Sequence, residues 1–371
     1  MRFKSVFFSI SLIWVVIINI FGKLLYMDIW MLFAVQVIPL IISVVISSNR
    51  KEYLKPNGLY FAGVVMIIFQ LLANRHNIMP CISLCFVTGL IVMIIQKEKI
   101  ASLKYIAIII FLLNCGVSYY EYANNVNLLS YDMSLNQLRR FRSTGLWEHP
   151  LYSALINASC MLFFIESRLK KYIKLTLYFI GLYVLFLYDA RTSTIYAITG
   201  TAILLFWKGK ISISNLILLG MVSVLFSQFY EYLSTSDLGG KLFDPETNKF
   251  QDVDARMLPF TLFAEATFND LFWGIGIEKQ VFLANRYGLP SVENSFIALV
   301  FFYGFIPAFL VISNLIKSFF QTMNNVSVRE RYVILGGFLI TGMTSQALTS
   351  PYVWYTFIIF FAAFTQKSIK I

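Results

Sequence analysis

The chain has 371 residues, 58% of them hydrophobic, 17% aromatic and only 13% charged, and its mean hydropathy is +0.72. A soluble domain carries about 45–50% apolar and about 25% charged residues, so this composition excludes an ordinary soluble globule, a disordered chain and a disulfide scaffold. The net charge is +11, from 30 Lys and Arg against 19 Asp and Glu, and in so apolar a chain that surplus raises the question of membrane sidedness before that of nucleic acid.

Apolar runs fall at about 5–22, 29–48, 58–73, 78–96, 103–119, 150–166, 172–189, 191–207, 212–230, 294–316, 332–349 and 351–366. Each approaches the length a helix needs to cross roughly 30 Å of hydrocarbon. Lipid-exposed backbone must satisfy its own hydrogen bonds, which favours helices, and the alternation of a membrane β-barrel is absent. The expectation is an all-α integral membrane protein, one polytopic domain over 1–371 with about twelve transmembrane helices. Met1-Arg2-Phe3-Lys4 could open a signal peptide, but no small-residue cleavage site follows the first run, which therefore reads as a retained span. Cys81, Cys85, Cys115 and Cys160 lie within apolar runs, away from His76 and His149, and read as small buried hydrophobes.

Charge supports this topology. With the N-terminus in the cytoplasm, the inside segments hold 19 of the 30 basic residues and 4 of the 19 acidic ones. Every inside connection then carries at least two basic residues, from Arg2 and Lys4 to Lys367 and Lys370. This is the positive-inside pattern, so the basic surplus encodes orientation and no nucleic-acid partner is expected. Both termini come out cytoplasmic. Two long connections lie outside, 120–149 and 231–293, the latter between helices nine and ten. Connections of that length are usually functional. Within the second, Leu258, Leu262, Phe263, Ala266 and Phe272 recur at helical spacing among Glu265, Asn269 and Asp270, which suits an interfacial helix.

Four patterns stand at the outer ends of spans. The first runs from Arg139 through Arg142-Ser143-Thr144-Gly145 to Glu148-His149-Pro150, and the second is Asp189-Ala190-Arg191-Thr192-Ser193-Thr194. The third is Arg256 followed by Trp273-Gly274-Ile275-Gly276, and the fourth is Glu293-Asn294-Ser295-Phe296 ahead of Tyr303-Gly304-Phe305-Ile306. Outer arginines run against the positive-inside trend. A guanidinium matches a pair of phosphate oxygens and stays charged when partly desolvated, so Arg142, Arg191 and Arg256 suggest anion binding. Snorkelling to headgroups, or pairing with Asp189, Glu148 or Asp254, is the competing explanation.

The order of these motifs resembles the O-antigen polymerase and O-antigen ligase superfamily of bacterial polytopic membrane glycosyltransferases. The likeness covers about 139–306 in motif and the whole chain in topology. It implies an undecaprenyl-diphosphate-linked oligosaccharide donor in the inner membrane and an outward-facing site, with a chain-length regulator as a possible class of partner. It also implies inverting transfer with no cofactor, metal or nucleotide sugar. Carried over by residue, the family's arginines fall on Arg142, Arg191 and Arg256, with Arg139, Asp189 and Asn294 in support. Where ligases tend to show His-Asn, this chain has Glu293-Asn294, which puts polymerase ahead of ligase. The residues agree. Transfer from a lipid diphosphate needs stabilisation of the leaving group and a base for the acceptor hydroxyl, for which Glu293 and His149 are the candidates. No phosphate-binding glycine loop or Cys/His cluster is present in the sequence. A flippase or other transporter is the rival of another class, but the sequence shows no repeated halves.

Overall fold

In the computed structural model the structure describes residues 2–25, 27–47, 53, 57–73, 78–98, 100, 103–129, 141–147, 149–207, 259–286, 292–323 and 326–365. Those residues are helical with short connections, and no strand occurs among them. In chain order the helices are α1 (Arg2–Leu24), α2 (Ile29–Ile46), α3 (Gly58–Leu72), α4 (Ile78–Lys97), α5 (Leu103–Asn124), α6 (Pro150–Glu166), α7 (Lys171–Leu187) and α8 (Arg191–Trp207). Then come α9 (259–265), α10 (Phe268–Trp273), α11 (Gly276–Arg286), α12 (Ser295–Tyr303), α13 (Phe305–Thr322), α14 (Val328–Met343) and α15 (Pro351–Thr365).

Four helical segments are long and apolar enough to cross a membrane: Lys4–Gly22, Ile78–Lys97, Leu103–Asn124 and Phe305–Thr322. The protein is thus an all-α chain of membrane character. Helix occupies every predicted apolar run except 212–230, which lies outside the described residues.

Three expectations change in detail. The run 294–316 is two helices, because Gly304 sits at φ 90° and ψ 160° and ends α12 after nine residues. A nine-residue helix rises only about 13–14 Å, so α12 does not span by itself. The run 332–349 breaks at Met343, and a 3₁₀ turn at Ala347–Thr349 leads into α15. The predicted interfacial helix over 258–272 is two short ones among the described residues, α9 and α10, and α11 follows them.

The chain divides into two compact units. The first comprises Met1–Ala107, Val253–Asn325 and Gly342–Ile371, and the second Ile108–Asp252 and Val326–Thr341. In the first, α1 and α2 lie side by side and share a polar pair, with Gln36 Nε2 donating to Asn19 Oδ1 at 2.8 Å. Such pairs satisfy side chains that lipid could not. Helix α4 carries a π-helical segment at Ile82–Val87. Gly63 of α3 lies against that segment, so close that a Cβ there would come within 2.6 Å of Phe86 and 2.8 Å of Cys85. The widened turn exposes the carbonyl of Ser83 to Tyr355 Oη, which donates to it at 2.5 Å. Phe319 of α13 stacks on Phe357 of α15 at 4.9 Å.

In the second unit α6 is the central helix, contacting both α7 and α8, and most of its residues are buried. Phe111 and Phe164 meet edge to face at 4.8 Å. Asn157 Nδ2 donates to Gly181 O at 2.7 Å, and Tyr196 Oη donates to Ile334 O at 2.8 Å. These bonds tie α6 to α7 and α8 to α14.

Candidate functional site

The described members of the predicted site fall into two groups, one in each unit. In the second unit, the segment 141–147 folds over the ends of α5 and α7. Helix α7 stops because Asp189, just past its C-cap Tyr188, adopts the left-handed conformation at φ 48°. Asp is one of the few side chains that tolerates that region. The last carbonyls of a helix lack intrahelical donors. Here Ser143 N–H donates to Leu187 O at 3.1 Å, Arg142 Nε to Tyr188 O at 2.9 Å, and Arg142 Nη2 to Asp189 O at 3.0 Å. A cation at a helix C-terminus also meets the negative end of its dipole. Arg142 therefore caps α7, whatever else it binds.

The same segment is anchored by a side chain the motifs did not single out. Asn114, Ser118 and Glu121 share one face of α5, all of them buried. Glu121 Oε2 accepts from Thr144 N–H at 2.7 Å and Gly145 N–H at 2.8 Å. Its Oε1 accepts from Leu128 N–H at 2.9 Å and Thr144 Oγ1 at 3.0 Å. Asn114 Oδ1 accepts from Leu146 N–H at 2.9 Å, while its Nδ2 donates to Tyr188 Oη at 2.8 Å. Ser118 Oγ lies 2.7 Å from Tyr188 Oη, and Ser143 Oγ donates to Ser118 O at 2.7 Å. Gly145, at φ 59°, lets the backbone pass this cluster. A Cβ there would stand 2.5 Å from Asn114 Oδ1 and 2.8 Å from Ser118 Oγ. The spacing 114, 118, 121, with Asn114 and Ser118 inside the apolar run 103–119 and Glu121 just past its end, is the signal by which this network is visible in sequence.

His149 is the N-cap of α6, with Nδ1 accepting from Leu151 N–H at 3.2 Å. Its ring packs 4.6 Å from that of Tyr152. Burial, and next the positive charge of Arg142, depress its pKa to about 4. The ring is therefore neutral at physiological pH. Its lone pair faces the helix, which places the ring proton on Nε2 and makes the exposed edge a donor. Arg191 is the first residue of α8, partly buried beside Asp189.

In the first unit, Asn294 is the N-cap of α12, its Oδ1 accepting from Ile297 N–H at 3.1 Å. The next residue is pinned: Ser295 Oγ lies 2.8 Å from Gly342 O and 2.6 Å from Ser345 O, and accepts from Leu348 N–H at 3.0 Å. On the other side of Glu293, Val292 O accepts from Gln346 Nε2 at 2.9 Å and from Asn294 N–H at 2.9 Å. Glu293 is partly exposed, and its carboxylate makes no hydrogen bond or ion pair among the described residues. Since Asn294 caps the helix, Glu293 is released from that task. At the other end of α12, Gly304 passes so close to Phe272 O that any side chain would clash, and Ile275 N–H donates to Phe301 O at 2.6 Å. The Gly-x-Gly and Tyr-Gly-Phe-Ile motifs thus pack on each other.

Arg139 and Arg256, together with Glu148, lie outside the described residues. Among the described residues, no group of three or more His, Cys, Asp and Glu side chains gathers as a metal site would require. The chain matches no family model, no curated protein and no solved structure.

Proposed function

We propose that this protein is an O-antigen-type polysaccharide polymerase of a bacterial inner membrane. In this proposal about twelve helices cross the bilayer, both termini are cytoplasmic, and 120–149 and 231–293 lie on the outer face. The enzyme joins undecaprenyl-diphosphate-linked oligosaccharide repeat units there. The acceptor hydroxyl oxygen attacks the anomeric carbon of the donor sugar, the bond from that carbon to the phosphate oxygen breaks, and undecaprenyl diphosphate leaves with the electron pair. The hydroxyl proton passes to Glu293, and the configuration inverts. Arg142, Arg191 and Arg256 carry the positive charge that stabilises the departing diphosphate. No cofactor takes part.

The observation that carries this proposal is Glu293: a carboxylate with no partner among the described residues, on a backbone fixed from both sides. A carboxylate on so firmly held a backbone, with no partner among the described residues, fits a base awaiting its proton donor. The charge asymmetry of the loops adds the orientation.

The test is to feed purified protein with lipid-linked repeat units and no lipid A-core. A ladder of products supports polymerase. Reaction only when core is added means ligase, and translocation without chemistry means flippase. Glu293→Gln should lower the rate on the order of 10²–10⁴-fold, the usual worth of general base catalysis, with donor binding little changed. A folded and fully active Glu293→Gln removes Glu293 from the chemistry. Reporter fusions at Ser236 and Lys170 should report opposite sides of the membrane.

A further inference from the structure

The turn at 342–350, which no motif singled out, is bonded to the peptide that carries Glu293. Gln346 donates through Nε2 to Val292 O at 2.9 Å, one residue before Glu293. Ser345 and Leu348, on either side in the same turn, close on Ser295, two residues after Glu293. The turn is itself braced, since Thr349 Oγ1 donates to Gln346 O at 2.7 Å and Trp354 Nε1 to Leu348 O at 2.9 Å. Gln346 is partly exposed, and no hydrogen bond reaches its Oε1 from the described residues. An amide has four hydrogen-bonding positions, and a fixed one with its oxygen open offers an acceptor in a set direction.

Glu293 and Gln346 thus offer two acceptor groups, a carboxylate and an amide oxygen, on peptides joined by the bond from Gln346 to Val292 and braced through Ser295. A ligand matching two acceptors must bring hydroxyl or N–H donors, and an anionic ligand would be repelled by Glu293. That chemistry is the hydroxyl-rich, uncharged face of a sugar. We propose that Gln346 is the positioning and recognition residue of the acceptor side: Nε2 holds the Glu293 peptide in place, and Oε1 accepts a hydroxyl of the incoming sugar. This rests on the polymerase proposal for the identity of the ligand.

Two substitutions separate the two ends of the amide. Gln346→Lys keeps a donor for Val292 O and removes the acceptor oxygen. Gln346→Glu keeps acceptor oxygens and removes the donor. The full-length protein in nanodiscs is examined by hydrogen exchange at 292–295. Binding is measured by saturation-transfer NMR with the repeat-unit oligosaccharide released by mild acid from the lipid-linked pool of the producing cells. Gln346→Lys should keep exchange protection at 293–295 and weaken oligosaccharide binding about tenfold, the worth of one neutral hydrogen bond. Gln346→Glu should speed exchange at 293–295 about tenfold or more while keeping measurable binding. A purely structural Gln346 would move exchange and binding together in both variants, and that result overturns the proposal. So does unchanged binding in Gln346→Lys, unchanged exchange in Gln346→Glu, or a wild type that binds no oligosaccharide. Neither readout needs turnover, so wild-type protein that binds the sugar but builds no ladder defeats the polymerase proposal alone.

Discussion

Glu121 holds Gly145 by its backbone: Oε2 of the buried carboxylate accepts the Gly145 N–H at 2.8 Å, next to that of Thr144 at 2.7 Å. One side chain at the last turn of α5 therefore fixes the segment that caps α7. Replacing it by Ala leaves the N–H groups of Leu128, Thr144 and Gly145 with no acceptor, at a cost of about 1–3 kcal/mol for each that stays buried. Glu121→Ala should lower the midpoint of thermal unfolding strongly and speed hydrogen exchange at 144–146. Glu121→Gln should fall between, because one amide N–H₂ then faces donors.

Gly145→Ala tests the same joint from the backbone side. The φ of 59° is unfavourable for any residue with a Cβ by roughly 1–2 kcal/mol. The added methyl would also strike Asn114 and Ser118. The expected outcome is a protein that unfolds several degrees lower, and in which Asn114→Ala costs less than it does in wild type. A double-mutant cycle checks this coupling.

Arg142 and Arg191 should separate in stability. Arg142→Ala removes two charge-assisted bonds to the carbonyls that end α7, each worth about 1.5–3 kcal/mol. It should lower both the thermal midpoint and polymer yield. Lys at this position cannot reach both carbonyls with one geometry and should restore little. Arg191→Ala should lower polymer yield with a smaller loss of stability. If Arg191→Ala leaves polymer untouched, Arg191 leaves the proposed diphosphate site.

His149 makes stability depend on pH. Its folded pKa of about 4 lies below its ordinary 6.5, so the folded state favours the neutral ring. The contribution is complete above pH 6.5, and it is lost as pH falls toward 4, because the unfolded chain takes up the proton first. The loss is at most on the order of 3 kcal/mol. Denaturation between pH 8 and pH 4 should show this slope, and His149→Asn, which keeps an N-cap acceptor but cannot titrate, should flatten it.

The helices were legible in sequence because the bilayer demands continuous apolar runs, and α6, α7, α8 and α15 match theirs within a few residues. The internal break at Gly304 was not, since an apolar run looks the same whether it is one helix or two. A Tyr-Gly-Phe inside it was the only cue. The role of Arg142 was legible only as an outer positive charge. Its partners, Tyr188 and Asp189, lie in another helix connection, and no local pattern announces which carbonyls lack donors. Glu121 was overlooked because it sits where an apolar run gives way to a loop, although Asn114 and Ser118 mark its face. Gln346 was invisible for a plainer reason: a lone amide near the end of an apolar run has no periodicity to betray it.

The polar face of α5 also has a consequence for biogenesis. When this helix leaves the ribosome, Thr144, Gly145 and Tyr188 have not yet been made, so the Asn114 amide and the Glu121 carboxylate enter the translocon without the groups that later satisfy them, whereas Ser118 already donates to Asn114 O within the helix. A lone helix with such a face is poorly held by lipid. Nascent chains cut before Tyr188 should therefore release α5 from the membrane more readily than chains cut after α8, and the segment 141–147 would complete an insertion that hydrophobicity alone leaves unfinished.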